Sequence, residues 1–324
     1  MTESPNPHAP APATPPSPAV EVLPRDLSAY RQGNLGIDYV HRFESGRPGP
    51  HVLINALTHG NEFCGMVAAT HLLDTGVRPL IGTLTVSFAN VDAYETFHPA
   101  SPFDSRQIVH NFNRIWSPEW LDGPEDSPEL RRARALRPVV AAADHLLDLH
   151  STSQDVEPFW VYQAFARNSA AALAIGDPAI HLVMPAGLGS GTPVIQYSHF
   201  GLADGLGVSM VAECGQHFLQ ASSDVAIGVT RRFLAHFGLI ARDPAAAAPQ
   251  PARRFELLQT VVIKTPDFRF TRPCVGFEVF AQGELIATDG VDEIRAPCDD
   301  CTVLMPARAA VVGREGVYLS RPLR

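Results

Sequence analysis

The segment from Asn55 to Glu62 combines an imidazole and a carboxylate at a spacing that suits a divalent metal ion. His59 and Glu62 are three residues apart, and Gly60 lies between them. Glycine at that position lets the backbone turn tightly. The apolar run Val52–Ile54 precedes the segment and a helix-like stretch follows it, so we expect it at the carboxyl edge of a sheet, where open α/β sheets bind ligands. A His and a Glu still need a third protein ligand to form an open catalytic zinc site.

His150 is the candidate for the third metal ligand. It ends the apolar segment Asp144–His150, which predicts a strand that neighbours the first one. Because side chains of a strand alternate between its faces, Asp148 and His150 share a face. Metal-bound imidazoles usually donate their other N–H group to an oxygen atom, and we expect Asp148 to accept that hydrogen bond from His59. The alternative interpretation is a strand-end histidine that is satisfied by backbone groups.

Glu213 is the candidate general base. It follows the apolar run Met210–Ala212, and a carboxylate at the end of such a strand is costly to bury unless it has a partner or a function. Three protein ligands leave one zinc position for a water molecule, whose pKa zinc lowers to about 7. A glutamate on the surface at a strand end is the alternative interpretation.

The segment from Arg106 to Arg114 offers anion-binding groups. An Arg guanidinium holds a carboxylate with two hydrogen bonds, which suits Arg114, and Asn113 adds a donor. Arg106 is suited to stabilise the oxyanion of a tetrahedral intermediate. For Asn113 and Arg114 alone, the alternative is a loop turn with a solvated Arg side chain.

The elements that must position these residues alternate between strand and helix. This alternation predicts an α/β fold with a mixed, mainly parallel sheet flanked by helices. Residues 254–324 are instead short, alternating and rich in Gly and Pro, which predicts a small C-terminal all-β domain. The predicted strands are 51–57, 83–89, 144–150, 159–163 and 209–213, then 260–263, 277–280, 284–287, 301–305 and 310–312, and the predicted helices are 62–74, 127–140, 167–175 and 222–237.

The composition divides the chain into four parts. We predict a disordered Pro/Ala-rich tail over residues 1–20, a catalytic domain over 21–242, a linker over 243–253 and the β domain over 254–324. The net charge of −9 argues against binding to nucleic acid. No apolar run is long enough to span a membrane, and the first residues lack the features of a signal peptide.

Five cysteines in 324 residues do not predict a disulfide framework, so a reducing cytoplasm is the expected compartment. Cys64 and Cys214 are close in sequence to Glu62 and Glu213, and we interpret them as small buried apolar residues. Cys298 and Cys301 have half of a zinc-ribbon spacing, with Cys274 as a third thiol. Their role is left open.

Together these motifs give the chain a resemblance to the aspartoacylase/succinylglutamate desuccinylase family of zinc carboxypeptidase-like hydrolases. The matching motifs are His59-Gly60-Asn61-Glu62, Arg106 with Asn113-Arg114, Asp148-Leu149-His150 and Glu213-Cys214-Gly215. They occur in the order that is typical of the family and extend over roughly residues 50 to 217.

The resemblance implies one Zn²⁺ per chain at His59, Glu62 and His150, with Glu213 as general base and then acid. It implies Arg106 as the oxyanion donor, and Asn113 and Arg114 as ligands of the carboxylate of an N-acyl amino acid. A C-terminal β domain that partly covers the active-site mouth is implied as well.

Two departures from the family pattern concern the substrate. Asn111-Phe112 replaces the usual acidic residue and Leu before Asn113-Arg114, and Leu202–Gly205 contains no basic residue for a carboxylate on the acyl side of the substrate. We therefore expect an uncharged or differently charged group on that side, rather than the groups of N-acetylaspartate or succinylglutamate.

The predicted function is a zinc-dependent amidohydrolase that removes an acyl group from a small N-acyl amino acid. The alternatives are a zinc carboxypeptidase that acts on short peptides and a non-catalytic binding protein of the same fold. The acyl group, the amino acid and the identity of the divalent ion remain open, because His and Glu ligands suit several metals. A homo-oligomer is compatible with the sequence.

Overall fold

The strands at the centre of the structure are short runs of apolar residues buried on both faces, the pattern of strands in a parallel sheet. The structure is a computed structural model that describes residues 18–244 and 250–323. Most of the predicted tail and the middle of the predicted linker lie outside the described residues. The strands are β1 (Val40–Glu44), β2 (His51–Ala56), β3 (Thr83–Phe88), β4 (His145–Thr152), β5 (Phe159–Gln163), β6 (Ile180–Met184), β7 (Val208–Gln216), β8 (Arg253–Val262), β9 (Arg269–Phe270), β10 (Val279–Phe280), β11 (Leu285–Asp289), β12 (Asp292–Arg295), β13 (Cys301–Leu304) and β14 (Glu315–Leu323).

Six α-helices are described. The longest, α6, follows β7, and α1 follows β2 directly after the His59–Glu62 turn. The helices are α1 (Phe63–Asp74), α2 (Val91–Tyr94), α3 (Pro118–Leu121), α4 (Pro128–Ala141), α5 (Ala166–Ile175) and α6 (Gln220–His236). Ser127 caps α4 by accepting a hydrogen bond from the backbone N–H of Leu130, as the sequence predicts. None of the helices in the described ranges combines the length and the hydropathy needed to cross a membrane.

Eleven strands form one mixed sheet in the order β1-β3-β2-β4-β7-β5-β6-β8-β14-β13-β10. β2, β3, β4 and β7 run parallel, and β5 pairs antiparallel with β7. Side chains of α1 and α6 pack on one face of the sheet, and those of α4 pack on the other. The predicted α/β fold class with an all-β C-terminal region is confirmed.

The C-terminal strands continue the main sheet. β8 pairs in parallel with β6, and β14 pairs antiparallel with β8. A separate three-stranded sheet of β12, β11 and β9 packs on an apolar cluster that it shares with β8, β13 and β14. The domain boundaries remain a prediction. Backbone hydrogen bonds between β6 and β8 join the strands of the catalytic region and of the C-terminal region into one sheet.

Five strands, β1, β6, β9, β12 and β14, were absent from the sequence prediction, and one predicted strand is wrong. Residues 310–312 form no strand, because the chain turns there before β14. β14 itself starts at Glu315 and contains Arg321 and Pro322, so its sequence lacks an apolar run over its whole length. β1 and β6 are five residues long, and a His interrupts the apolar pattern of each.

Candidate metal centre and active site

The turn between β2 and α1 is fixed by close backbone packing at Gly60. A Cβ atom at Gly60 would lie 2.4 Å from the Tyr94 nitrogen and 2.4 Å from the Ser105 carbonyl oxygen. The left-handed backbone of this turn is at Leu57, with a φ of 58°. Glycine is therefore required at position 60 because neighbouring backbone atoms leave no room for a Cβ atom. A positive φ is not the reason, since Gly60 does not adopt one.

The side chains of His59, Glu62 and His150 converge at the carboxyl edge of β2 and β4. Nδ1 of His59 lies 2.8 Å from Oε1 of Glu62, and Nδ1 of His150 lies 2.9 Å from Oε2. One ligand atom from each residue lies within 4.8 Å of the others, and all three side chains are buried. It is the one group of this kind among the residues that the structure describes.

Hydrogen bonds outside this group fix both imidazole rings. Nε2 of His150 lies 2.7 Å from Oδ2 of Asp148, and Nε2 of His59 lies 3.0 Å from Oδ1 of Asn111. The expectation that Asp148 serves His59 is therefore wrong. Asp148 and His150 are neighbours on one face of β4, whereas His59 turns toward the loop that carries Asn111. With Nε2 as the donor in both rings, each Nδ1 is directed toward Glu62.

The electrostatics of the three residues suit a cation. Burial opposes the charged form of Glu62, but the adjacent His59 and His150 outweigh it and hold the pKa of Glu62 well below its ordinary value. Burial likewise opposes a charge on His150, yet the carboxylates of Asp148 and Glu62 raise its pKa well above the ordinary value. For His59, burial and then Arg106 lower the pKa to about 4. A buried, ionised carboxylate between two Nδ1 atoms is a donor set that fits a divalent ion such as Zn²⁺.

Glu213 lies beside this group on the neighbouring strand. It pairs directly with His150 in the register of β4 and β7, so the two side chains leave the same face of the sheet. Burial raises the pKa of Glu213 to about 8. Within the described ranges, its Oε2 atom has no hydrogen-bond partner. A buried carboxyl oxygen without a partner calls for an explanation, such as a ligand or a catalytic role.

Arg106 reaches the same group from the loop after α2. Its Nη1 atom donates to Oε1 of Glu62 over 3.1 Å, and its carbonyl oxygen accepts a hydrogen bond from the Gly60 N–H. A residue that sequence reasoning missed, Glu129, holds this loop. Its buried carboxylate accepts hydrogen bonds from the backbone N–H groups of Ile108, Val109 and His110.

Asn113 and Arg114 lie nearby, but Arg114 already has an acidic partner. Its Nε donates to Oε1 of Glu315 over 2.8 Å, its Nη2 donates to the Tyr318 hydroxyl over 3.1 Å, and its Nη1 donates to the Asn113 carbonyl over 2.8 Å. Burial would raise the pKa of Glu315, but the charge of Arg114 and a hydrogen bond from Ser190 lower it to about 2. The solvated-Arg interpretation is therefore wrong for Arg114.

A cavity of about 660 Å³ joins these residues. It is lined by all seven residues that the sequence predicts for the site: His59, Glu62, Arg106, Asn113, Arg114, His150 and Glu213. The C-terminal region contributes Met305, Arg314, Glu315 and Tyr318 to the wall. His217 also lines the cavity, and its Nδ1 atom lies 2.8 Å from the Ser151 hydroxyl.

No cysteine is part of the candidate metal group in the described residues, although Cys64 Sγ donates to the His150 carbonyl over 3.3 Å. Cys64 and Cys214 are fully buried in the apolar core, as predicted, and all five thiols are free. Cys274, Cys298 and Cys301 lie in the apolar cluster of the C-terminal region. In the part of the chain that the structure describes, they form no second metal-binding group.

The fold and the site together define a class: an α/β protein with a buried His-Glu-His group at the carboxyl edge of a mixed sheet. Residues 48–190 match the model of the succinylglutamate desuccinylase/aspartoacylase catalytic domain. The match covers less than half of the chain, and it confirms the resemblance inferred from the motifs. The segment contains the three candidate metal ligands, Arg106, Asn113 and Arg114, but it ends before Glu213.

Solved structures of similar fold cover most of the chain. A succinylglutamate desuccinylase from Vibrio cholerae is 18% identical, with a TM-score of 0.67 over 89% of this chain and 86% of that one. The succinylglutamate desuccinylase from Chromobacterium violaceum is 19% identical, with a TM-score of 0.65 over 89% and 90%. The ectoine utilization protein EutE (DoeB) from Ruegeria pomeroyi is 17% identical, with a TM-score of 0.62 over 88% of each chain. No curated protein matches the sequence.

Proposed function

We propose that this protein is a metal-dependent amidohydrolase that removes the acyl group from a small N-acyl amino acid. The observation that carries the proposal is the buried His59-Glu62-His150 group with Glu213 opposite His150 in the strand register. The family match supports hydrolysis of an N-acyl bond, since it names succinylglutamate desuccinylases and aspartoacylases. We propose Zn²⁺ as the ion, one per chain.

His59, Glu62 and His150 would hold the ion through two Nδ1 atoms and the Glu62 carboxylate. When bound, the ion supplies a water molecule of lowered pKa and an electrophile for the amide oxygen. Glu213 takes a proton from the attacking water and delivers it to the nitrogen of the leaving amine. Arg106 donates to the oxygen that becomes negative in the transition state.

The carboxylate of the substrate is assigned to Asn113 and Arg114. Oδ1 of Asn113 is occupied by the Val194 N–H, which directs the amide nitrogen of Asn113 to serve as a donor. Nη1 of Arg114 donates one of its two hydrogens to the Asn113 carbonyl, and the other is assigned to the substrate. Glu315 orients this guanidinium and offsets part of its charge.

The proposed compartment is the cytoplasm, which is supported by five free thiols. The substrate is a small molecule, because the cavity is closed on one side by the C-terminal region. Nucleic acid is not proposed as a partner. A homo-oligomer remains a proposal compatible with the sequence.

The test is a deacylation screen with purified, zinc-loaded protein, read by amine release from N-acetyl and N-succinyl amino acids and from short peptides. Metal content is measured on the same sample. We expect one Zn²⁺ per chain and release from N-acyl amino acids that a chelator abolishes. Faster cleavage of peptides would favour the carboxypeptidase. Absence of stoichiometric zinc, with no activity after zinc addition, would favour a binding protein.

A further inference from the structure

One wall of the cavity beyond Glu213 is apolar. Val211 is two residues before Glu213 on β7 and therefore lies on the same face of the strand. Val161 pairs directly with Val211 in the register of β5 and β7, so the two side chains are neighbours on that face. Met184 ends β6 and, together with Val161 and Val211, lines the cavity.

This apolar wall adjoins the residues assigned to the substrate carboxylate. The N–H of Val194 donates to Oδ1 of Asn113 over 3.0 Å, and the next residue, Ile195, lines the cavity. Tyr318, whose hydroxyl accepts a hydrogen bond from Arg114, lines it from the C-terminal side. A group bound to Asn113 and Arg114 through its carboxylate therefore has apolar side chains within reach of its α-substituent.

Arg308 and Arg314 line the cavity from the C-terminal region and are not part of this wall, and the basic residue near the segment Leu202–Gly205 has other partners. Arg167 reaches the segment Leu202–Gly205 from α5, but its guanidinium donates to the backbone carbonyls of Phe200, Leu202, Ala203 and Gly207. Arg167 stabilises that segment and does not line the cavity. The wall formed by Val161, Met184, Ile195, Val211 and Tyr318 thus contains no charged side chain.

We infer that this wall binds the side chain of the substrate amino acid, and that the side chain is neutral and apolar, of the size of leucine, methionine or phenylalanine. The inference rests on the proposed function, since the carboxylate at Asn113 and Arg114 sets the direction of the side chain. Apolar groups gain free energy by leaving water for such a surface. A charged side chain loses its hydration there and meets no charged partner on the wall itself, so it binds less well than an apolar one.

The first test compares kcat/KM of the zinc-loaded enzyme on N-acetyl derivatives of leucine, methionine, phenylalanine, aspartate, glutamate and lysine. We expect the apolar derivatives to be at least about tenfold better than the charged ones, as pocket discrimination of this type allows. Equal or better rates on aspartate, glutamate or lysine derivatives would overturn the inference while leaving deacylation intact.

The second test changes the charge of the wall. Met184→Lys places a cation of similar length on the wall, and Met184→Leu is the matched apolar control. We expect Met184→Lys to shift the ratio of leucine to aspartate rates toward aspartate by about tenfold or more, and Met184→Leu to keep the wild-type order. An unchanged ratio in folded Met184→Lys protein would contradict the inference, and if this variant does not fold, the wild-type panel decides.

A binding experiment separates this inference from the proposed function. Calorimetry measures the binding of free leucine and free aspartate to zinc-loaded wild-type protein, with no turnover required. Tighter binding of leucine supports the apolar wall even if no N-acyl amino acid is hydrolysed, in which case only the proposed reaction fails. Tighter binding of aspartate, or binding of neither, would overturn the inference.

Discussion

At the scale of single residues, the candidate metal centre depends on how each imidazole is held. Nε2 of His150 is bound to Asp148, which in turn accepts hydrogen bonds from Asn55 and Thr58 over 2.8 and 2.6 Å. Such outer partners fix the ring orientation and raise the basicity of a metal ligand. The buried carboxylate of Asp148 thus connects the metal centre to the end of β2.

Replacement of Asp148 by Asn should weaken the metal affinity by about tenfold to a hundredfold. The amide keeps the size of the side chain but removes the charge that favours His150 as a strong ligand. The matched change is Asn111→Ala, which removes the neutral acceptor at His59 and should weaken the affinity less. Competition with a chromogenic chelator measures both values, and equal affinities for Asp148→Asn and the wild type would contradict this role.

The ion pair of Arg114 and Glu315 predicts acid sensitivity. The folded structure lowers the pKa of Glu315 from its ordinary value of 4.5 to about 2, so the folded protein prefers the ionised form. This contribution to stability is complete above about pH 5, and it is lost as the pH falls toward 2. Its size at neutral pH is on the order of 3 kcal/mol.

Glu315→Gln removes that contribution. The difference in free energy of unfolding between the wild type and Glu315→Gln should therefore be largest at pH 7 and smaller at pH 3, as measured by urea unfolding. Exposed Glu125 provides the control substitution, Glu125→Gln, which should show no such pH dependence. If the difference in free energy of unfolding between the wild type and Glu315→Gln grew as the pH fell, the proposed contribution of the ionised Glu315 would be contradicted.

At the scale of elements, one buried side chain holds the loop that carries Arg106, Asn111 and Asn113. Glu129, in the first turn of α4, accepts hydrogen bonds from three consecutive backbone N–H groups, the shortest over 2.6 Å. These N–H groups lie outside the described helices and strands, so the carboxylate of Glu129 serves as their acceptor. Glu129 thus fixes the backbone of the loop between Arg106 and Asn113.

Glu129→Ala should lower both stability and activity. Three partly buried N–H groups would lose their acceptor, and one such loss costs at most about 1–3 kcal/mol, the cost for a buried group. We expect the thermal midpoint to fall by several degrees and kcat/KM to fall by at least about tenfold, because Arg106 and Asn113 lose their position. Glu125→Ala, an exposed change before the same helix, is the control. Full activity in Glu129→Ala would show that the loop is held by other contacts.

The sequence predicts the elements near the site better than those far from it. β2, α1, β4 and β7 are predicted within a few residues, because apolar runs and a Gly-containing turn mark them locally. Their parallel order brings His59, His150 and Glu213 to one edge. The partner of Arg114 was not predictable in this way, since Glu315 is 201 residues away in sequence. Neither was Glu129, which acts through backbone groups that no motif reveals.

At the scale of the whole molecule, the candidate site is assembled from strands in both halves of the main sheet. β2, β4 and β7 supply the metal group and Glu213, and β14 brings Glu315 and Tyr318 across β8. The cavity therefore requires both the catalytic region and the C-terminal region. The cover over the site that the resemblance implies is supported by this wall.

Metal removal should destabilise the entire protein. An ion held by His59, Glu62 and His150 would compensate the buried charge of Glu62, so its binding free energy would add to the free energy of folding. Dialysis against a chelator should lower the thermal midpoint, and added Zn²⁺ should restore it. An identical midpoint with and without the ion, in protein shown to bind zinc, would contradict a site formed only in the folded state.

The central claim is that Glu213 acts on water beside a metal held by His59, Glu62 and His150. The direct test is Glu213→Gln, in which turnover of the best N-acyl amino acid and zinc content are measured on the same sample. The account predicts one Zn²⁺ per chain and a kcat reduced by about a hundredfold to ten-thousandfold, because the amide cannot accept the proton. Near-normal turnover in zinc-loaded Glu213→Gln would contradict it.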